Sequence, residues 1–264
     1  MRKIKNITIG ADPELFIINT TTGDVVSAIG LLPGKKNKPY KKGMPKGFGV
    51  EIDGVLGEFN IPPCTSKEEY VDSIKYMKNW IKNYVKNIDP NLDICCKATM
   101  LVPEDQLLDP LANEIGCDPD FNAYTMDKNP KPEGYSNCLR VAGDHIHIGY
   151  TKPDPETSCM LMKYMDLACG IPSVLYDDDI YRRTLYGQAG SFRLPDYGLE
   201  ARTLSSFMLN DDLLPKVWDW TMKAIELYNN GYPLPDGNLV QKCINTSNQV
   251  LAKHLIKLYD ICAE

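Results

Sequence analysis

The sequence predicts an α+β fold, with short antiparallel strands in one layer and amphipathic helices packed over it. Three observations predict it. Residues 14–19 and 25–29 are β-prone runs around the turn 20–24, and residues 49–53 and 55–60 flank Asp53-Gly54, a strong hairpin signal. From Ser66 onward, Tyr70, Ile74, Met77, Ile81, Tyr84, Val85 and Ile88 recur at helical spacing, with lysines on the other side. Residues 187–206, GQAGSFRLPDYGLEARTLSS, read as two further strands around the turn Pro195-Asp196-Tyr197-Gly198.

At 264 residues, 43% of them hydrophobic and 24% charged, the chain can bury a sizeable core and has an ordinary globular composition. No repeat, low-complexity tract or linker divides it, so residues 1–264 are expected to form one domain. A net charge of −6 argues against broad nucleic-acid binding. No apolar run has the length of a membrane span, and MRKIKNITIG lacks the apolar centre of a signal peptide. The nine cysteines include the vicinal pair Cys95-Cys96 but no CxxC, so reduced thiols in a cytoplasmic protein are expected.

The elements follow in order. A first strand is expected over 6–9, ending at Gly10-Ala11-Asp12-Pro13. In the next, Glu14 shares a face with Phe16 and Ile18. A carboxylate heading so apolar a strand is either at the solvent rim or a ligand, and this segment alone favours the rim. Residues 33–47 carry Lys35, Lys36, Lys38, Lys41, Lys42 and Lys46 among glycines and prolines. They read as a mobile, solvated loop or, functionally, as a lid for an anionic substrate. Glu51 and Asp53 share one face of their strand, and Glu58 and Asn60 one face of theirs. Pro62-Pro63 ends that strand, and Ser66 with Glu69 forms the capping box of the long helix. A strand is expected over 92–102, then a long polar loop over 103–132 that includes CDPDFNAY at 117–124, a length that often marks function.

Residues 139–150 hold a further strand with ionisable groups. His145 and His147 share one face, with Ile146, Ile148 and Tyr150 opposite. Two imidazoles aimed into one volume suit a metal or a phosphate, with plain hydrogen bonding as the alternative. Residues 155–176 are expected as a helix broken by Gly170-Ile171-Pro172, and Asp177-Asp178-Asp179 as a solvated cap. Arg182 and Arg183 either join a phosphate site or lie on the surface. Helices are expected over 211–228 and 239–262, with His254 structural or exposed on the second.

In the stretch 187–206, Glu200 and Arg202 share a face, and Arg193 stands on the neighbouring strand. Taken alone, this is equally well read as cross-strand ion pairing on a solvated face. The other strands change the balance. Glu14, Glu51, Asp53, Glu58, His145, His147, Arg193, Glu200 and Arg202 all sit at alternate strand positions. Carboxylates at this density repel unless a cation lies between them, and hard oxygen ligands suit Mg²⁺ or Mn²⁺. Arginines beside a metal are what a transferring phosphoryl group requires. There is no GxxxxGK[ST] loop and no kinase-type glycine loop, so a nucleotide would be held on the sheet by metal and arginine.

Four ordered motifs, GADPELF (10–16), DGVLGEFNIPP (53–63), AGDHIHIGY (142–150) and SFRLPDYGLEARTLSS (191–206), resemble the phage-type carboxylate–amine ligases. These are the type 2 amidoligases, related to glutamine synthetase and glutamate–cysteine ligase. The resemblance implies a curved, mainly antiparallel sheet of the glutamine-synthetase catalytic type, with helices on its convex face. It also implies an ATP- and Mg²⁺-dependent (or Mn²⁺-dependent) ligase working in the concave face. By that resemblance Glu14, Glu58 and Glu200 are expected metal ligands, and His145 or His147 would touch metal or phosphate, His145 being taken as the metal ligand and His147 as the nucleotide contact; Arg183, from its place before the motif, is a further expected contact of the nucleotide. Arg193 would hold the γ-phosphate of ATP, and Arg202 would neutralise the acyl-phosphate transition state. Two positions depart from the pattern. Asp144 stands where a glycine is usual before HIH, and Ala201 where an aromatic is usual between Glu and Arg. Altered packing is expected there rather than lost chemistry, with Asp144 also a candidate for orienting a histidine.

The expected partners are a small-molecule or peptide carboxylate and an amine, joined as an amide through an acyl phosphate. Glu51 or Asp53 is the candidate base, and residues 33–47 or 103–132 the closing loop. Two other readings remain in view. A phosphotransferase to nitrogen would form ADP with an amine and no carboxylate. A non-catalytic protein that binds a nucleotide or a host protein is disfavoured by the intact set Glu14, Glu58, Glu200, Arg193 and Arg202.

Overall fold

Alternation of apolar and ionisable residues puts two different surfaces on the same strands, and the architecture follows from burying one of them. The computed structural model describes residues 2–113, 120–129, 138–177, 179 and 181–261. In chain order the strands are β1 (Thr8–Ala11), β2 (Glu14–Asn19), β3 (Val25–Val26), β4 (Gly49–Asp53), β5 (Leu56–Asn60), β6 (Leu92–Cys95), β7 (Thr99–Leu101), β8 (Phe121–Asn122), β9 (Leu139–Val141), β10 (Ile146–Gly149), β11 (Ser191–Arg193) and β12 (Gly198–Ala201). The helices are α1 (Lys67–Ile88), α2 (Pro155–Met165), α3 (Ile171–Ser173), α4 (Arg182–Leu185), α5 (Leu214–Asn229), α6 (Gly237–Asn245) and α7 (Gln249–Tyr259).

One sheet has the order β1-β10-β12-β11-β8 and a second the order β3-β2-β5-β4, with β6 also paired to β2 and β7 paired to β9. Every pairing is antiparallel, as expected for the α+β class. The two sheets meet along residues 8–14. On one side, Ile9 and Cys64 exchange backbone hydrogen bonds of 2.9 and 2.8 Å, and the Ile61 N–H donates to the Ala11 carbonyl at 3.1 Å. On the other side, the Asp12 and Glu14 N–H groups donate to the carbonyls of His145 and Gly143, at 3.4 and 3.0 Å. Strands from both sheets therefore lie side by side at this seam, which brings β4 and β5 towards β10 and β12.

The apolar positions face the helices. Leu15, Ile17, Val50, Phe59, Ile146, Ile148, Phe192 and Leu199 are buried in one cluster with Tyr70, Ile74 and Met77 of α1, Leu161 and Met165 of α2, and Val217 and Ala224 of α5. Helix α1 starts where the sequence places it. Ser66 accepts from the Glu69 N–H, and Glu69 returns the bond to the Ser66 backbone. A smaller cluster of Phe16, Val55, Leu56, Val102, Leu107, Ala112 and Ala142 covers one end of the opposite face.

Several boundaries differ from the sequence expectation. The run 92–102 is two strands, because residues 92–95 pair with β2 and residues 99–101 with β9. Residues 139–150 divide in the same way into β9 and β10, and β3 is only Val25–Val26. The expected break at Gly170-Ile171-Pro172 is absent. Residues 166–170 form a π turn whose Ile171 N–H bonds to the Asp166 carbonyl, and the wider turn accommodates a proline that has no N–H to give. The expected helix 239–262 is two helices, separated at Thr246-Ser247-Asn248. Ser247 has φ +48°, and Asn248 caps α7 by accepting from the Leu251 N–H. His254 is exposed on α7. In the loop 103–132, residues 104–107 and 110–113 form 3₁₀ turns, and Phe121–Asn122 adds the edge strand β8. Cys117-Asp118-Pro119, residues 130–132, Asp178 and Cys262 lie outside the described residues.

The lysine-rich segment 33–47 is stitched to the sheet. Tyr40 and Val50 exchange backbone hydrogen bonds of 2.7 and 3.0 Å, and Lys35 and Lys38 close a turn between them. Gly34 has φ +97°, and a Cβ there would lie 2.4 Å from the Val50 carbonyl oxygen. Only glycine permits this approach.

Candidate active site

The register sets the site. Across β2, β5 and β4, Glu14 stands opposite Glu58, and Glu58 opposite Glu51. Across β1, β10, β12 and β11, Gly10 stands opposite His147, His147 opposite Glu200, and Glu200 opposite Arg193. Asp12 lies between the two rows. Among the described residues, three groups have ligand atoms all within 4.8 Å of one another: Asp12, His147 and Glu200; Asp12, Glu58 and His145; and Glu14, Asp53 and Glu58. Shared members link them into one line, Glu200–His147–Asp12–His145–Glu58–Glu14–Asp53. Eight of the nine residues that the strand pattern singles out lie in this line or contact it, and Glu51 faces Glu58 across the strands.

Each histidine is held from both sides. Asp12 Oδ1 is 3.0 Å from His145 Nδ1 and 3.0 Å from His147 Nε2. The Tyr186 hydroxyl is 2.9 Å from His145 Nε2, and the Tyr197 hydroxyl 2.9 Å from His147 Nδ1. The Tyr197 ring also stacks on His147, with centroids 5.6 Å apart. Asp12 Oδ1, His147 Nε2 and Glu51 Oε2 are nevertheless buried with no hydrogen-bond partner of good geometry. Such atoms are costly in a dry interior unless an ion or water completes them. The donor set is mostly carboxylate oxygen with imidazole nitrogen, which fits Mg²⁺ or Mn²⁺.

The electrostatics agree with a site short of positive charge. Burial pushes the Glu58 carboxyl well above its ordinary range, and Asp12, Glu14, Glu51 and Asp53 push it further. Burial also raises Glu14, against the opposing pull of His145 and Arg202, and raises Glu51. Burial acts to raise Asp12 too, but His147 and His145 outweigh it and hold that carboxyl low. Burial works to lower His147, and Asp12 reverses the direction and raises it. Glu200 is lowered. Burial opposes this, but Arg202 and His145 prevail. So the acids near the histidines and arginines are charged, while Glu14, Glu58 and Glu51 hold protons more tightly than usual.

At the Glu200 end, the buried Arg202 guanidinium contacts Glu200 and donates to the Tyr186 hydroxyl, and Arg193 Nη1 is 3.5 Å from Glu200 Oε1. At the other end, Lys36 Nζ lies 2.7 Å from Asp53 Oδ1. One lysine of the basic loop thus reaches the acidic face.

Some expectations are corrected. Arg183 is not on the sheet face. It is 1% exposed, lies 3.2 Å from Asp177 Oδ2, and donates to Ser173 Oγ at 2.7 Å and to the Gly187 carbonyl at 3.3 Å. Arg182 is equally buried and donates to the carbonyls of Ala142, Thr203 and Leu204. Both arginines hold backbone in place, and neither is on the surface. Asp177 is buried rather than a solvated cap. Asp144 does not orient a histidine. It lies on the core face and accepts from the Met208 N–H. Ala201 packs into the core, as its face predicts. The seven described cysteines are free thiols, and burial pushes those of Cys64, Cys96, Cys159 and Cys243 up, away from the thiolate form.

Sequence reasoning missed three residues. Asp12 was legible, since it continues the alternation Gly10, Asp12, Glu14. Tyr186 and Tyr197 had no signal in the pattern, because only the tertiary fold brings them to the histidines.

Fold and site define an α+β protein with acidic, imidazole and guanidinium groups gathered on one face of antiparallel sheet. Residues 137–231 match the family model described as phage phiEco32-like COOH.NH2 ligase-type 2, the type that the four motifs resemble. The match contains His145, His147, Arg193, Glu200 and Arg202. Asp12, Glu14, Glu51, Asp53 and Glu58 lie outside it and are brought to the same place by the fold. The match supports a carboxylate–amine ligase. No curated protein matches the sequence. No helix among the described residues is long and apolar enough to cross a membrane.

Proposed function

We propose that the protein is an ATP- and Mg²⁺-dependent carboxylate–amine ligase that forms an amide through an acyl phosphate. The observation that carries this reading is the continuous line from Glu200 to Asp53, flanked by Arg193 and Arg202 at one end. Mn²⁺ is the alternative ion, the substrates would be a small-molecule or peptide carboxylate and an amine, and the sheet would be of the glutamine-synthetase catalytic type, as the resemblance of the four motifs implies.

Glu14, Glu58, Asp12 and Glu200, with His147, would hold the divalent cations. When bound, these cations would offset the charge of the ATP phosphates. Arg193 would hold the γ-phosphate, and Arg202 would neutralise charge on the transferring group. A carboxylate oxygen of the acid attacks the γ-phosphorus, and the bond to the β,γ-bridging oxygen breaks and releases ADP. The amine nitrogen then attacks the acyl carbon, and phosphate leaves with the electrons of the C–O bond. The amine must shed a proton. Glu51 is better placed than Asp53 to take it, because burial strengthens its hold on a proton while Asp53 is already paired with Lys36. Residues 33–47, laid along β4, are the candidate cover against water.

The test is trapping. With ATP, Mg²⁺ and a panel of carboxylic acids, hydroxylamine should yield a hydroxamate and ADP in equal amounts. ADP formed with an amine and no carboxylate would mark a phosphotransferase instead. No nucleotide turnover or binding at all would leave the non-catalytic reading.

A further inference from the structure

A cavity of about 400 Å³ lies between the β6–β7 connection, the residues before α4 and the segment after β12. None of its lining residues belongs to the line from Glu200 to Asp53. It adjoins backbone that the site also uses. The Ala142 N–H donates to the carbonyl of Ala98 in its wall at 2.8 Å, and the next N–H, that of Gly143, donates to Glu14 Oε2 at 2.8 Å. The volume suits a small organic molecule.

The wall offers two kinds of surface. Tyr176 and Phe207 both pack on Trp220, with ring centroids 5.8 and 6.4 Å away, and form an aromatic patch. Asp177, Asp179 and Ser206 supply acceptors. Asp177 and Ser206 are each 5% exposed. Asp177 Oδ2 and Ser206 Oγ are buried with no hydrogen-bond partner of good geometry among the described residues. Such atoms are costly to bury unless a donor meets them.

Charge decides what the donor should be. Arg183 Nη2 lies 3.2 Å from Asp177 Oδ2 and balances that carboxylate. Asp179 accepts from neutral donors, the Thr99 hydroxyl and the N–H groups of Tyr181 and Arg182, the last two at 3.1 Å each. One carboxylate charge is therefore left on the wall. Lys97 stands exposed at the rim, where solvent screens it. An ammonium group brings three hydrogens and one positive charge, and aromatic rings favour a cation beside them.

We propose that this cavity binds a small primary amine bearing an aromatic or apolar group, with its ammonium among Asp177, Asp179 and Ser206 and its apolar part against Tyr176 and Phe207. The site is separate from the cation positions. It rests on the cavity alone and not on the ligase reading.

The test is calorimetric titration of the full chain, without nucleotide or metal, with tyramine and with tyrosol, which carries a hydroxyl in place of the ammonium. Tyramine is expected to bind saturably and at least about tenfold more tightly than tyrosol. No binding of tyramine, or equal binding of the two, overturns the proposal. The variant is Ser206→Ala. Its lost hydroxyl has no partner in the fold, so the melting temperature is expected to hold or rise. Tyramine affinity should fall about tenfold for the loss of one hydrogen bond to a charged group. Unchanged affinity overturns the assignment, and so does a lowered melting temperature, which would give the hydroxyl a structural partner. With nucleotide and metal left out, every outcome leaves the ligase reading to its own test.

Discussion

Asp166 offers a quantitative test of how the site hairpin is anchored. It lies in the π turn, is 0% exposed, and accepts from both ends of the hairpin that carries the arginines and Glu200. The Gly190 N–H donates to Oδ2 at 2.6 Å and the Thr203 hydroxyl to Oδ1 at 2.9 Å. Burial is the largest influence and raises its pKa from an ordinary 3.8 to about 7, although these bonds and Arg183 oppose it. The folded protein therefore binds this proton more tightly than the unfolded chain, and stability from this group falls as pH rises from about 3.8 through about 7. Between pH 5 and pH 7 the loss is about 2.3 kcal/mol, less than two pH units at ~1.36 kcal/mol each because the carboxyl is already half ionised at about pH 7. Asp166→Asn removes the titration. The amide oxygen can accept from Gly190, and the amide nitrogen can donate to Thr203 Oγ1. That hydroxyl then turns to the Gln188 carbonyl, now at 3.5 Å. Urea unfolding of both proteins across pH 5 to 8 is the assay. The variant should gain about 2.3 kcal/mol relative to wild type between pH 5 and pH 7, levelling off near pH 8. Parallel pH profiles would refute the reasoning.

Three further predictions follow from single contacts. Asp12→Asn should weaken Mn²⁺ binding about 10- to 100-fold in a titration without nucleotide, since Asp12 belongs to two of the three cation-ready groups; unchanged affinity would remove it from the site. Arg183→Met should destabilise the fold by about 3–5 kcal/mol in denaturant unfolding, because Asp177 is left buried and uncompensated; an undiminished stability with lost nucleotide binding would restore Arg183 to the phosphate site. Gly187→Ala should cost more than ~2 kcal/mol, because Gly187 has φ +70° and its added Cβ would lie 2.1 Å from Arg182 Nη1; a thermal melt matching wild type would contradict this.

Much of this was legible because a strand has a period of two. Glu51, Asp53, Glu58, His145, His147, Arg193 and Glu200 could be assigned to faces from alternation alone, and the register then brought those faces together. Asp12 was passed over because Asp12-Pro13 reads as a turn, yet the alternation continues through it. Arg182 and Arg183 were misplaced for a different reason. Arginine is seldom fully buried, and only the loop carbonyls and Asp177 they meet in the fold make burial tolerable. Gly170 and Pro172 look like helix breakers, but a π turn absorbs them. The split at Thr246-Ser247-Asn248 had its signal in Asn248, a good N-cap residue inside an otherwise periodic run.

The most direct measurement is calorimetric binding of a non-hydrolysable ATP analogue, with and without Mg²⁺, to wild type and to Glu200→Gln. Glu200 faces His147 and Arg193 across the strands and contacts Arg202, so it joins the cation positions to the arginines. The account predicts Mg²⁺-dependent binding by wild type that falls at least about tenfold in the variant, with both proteins folded. A folded wild type that binds no nucleotide, or one that binds equally well without Mg²⁺ and in the variant, would contradict it.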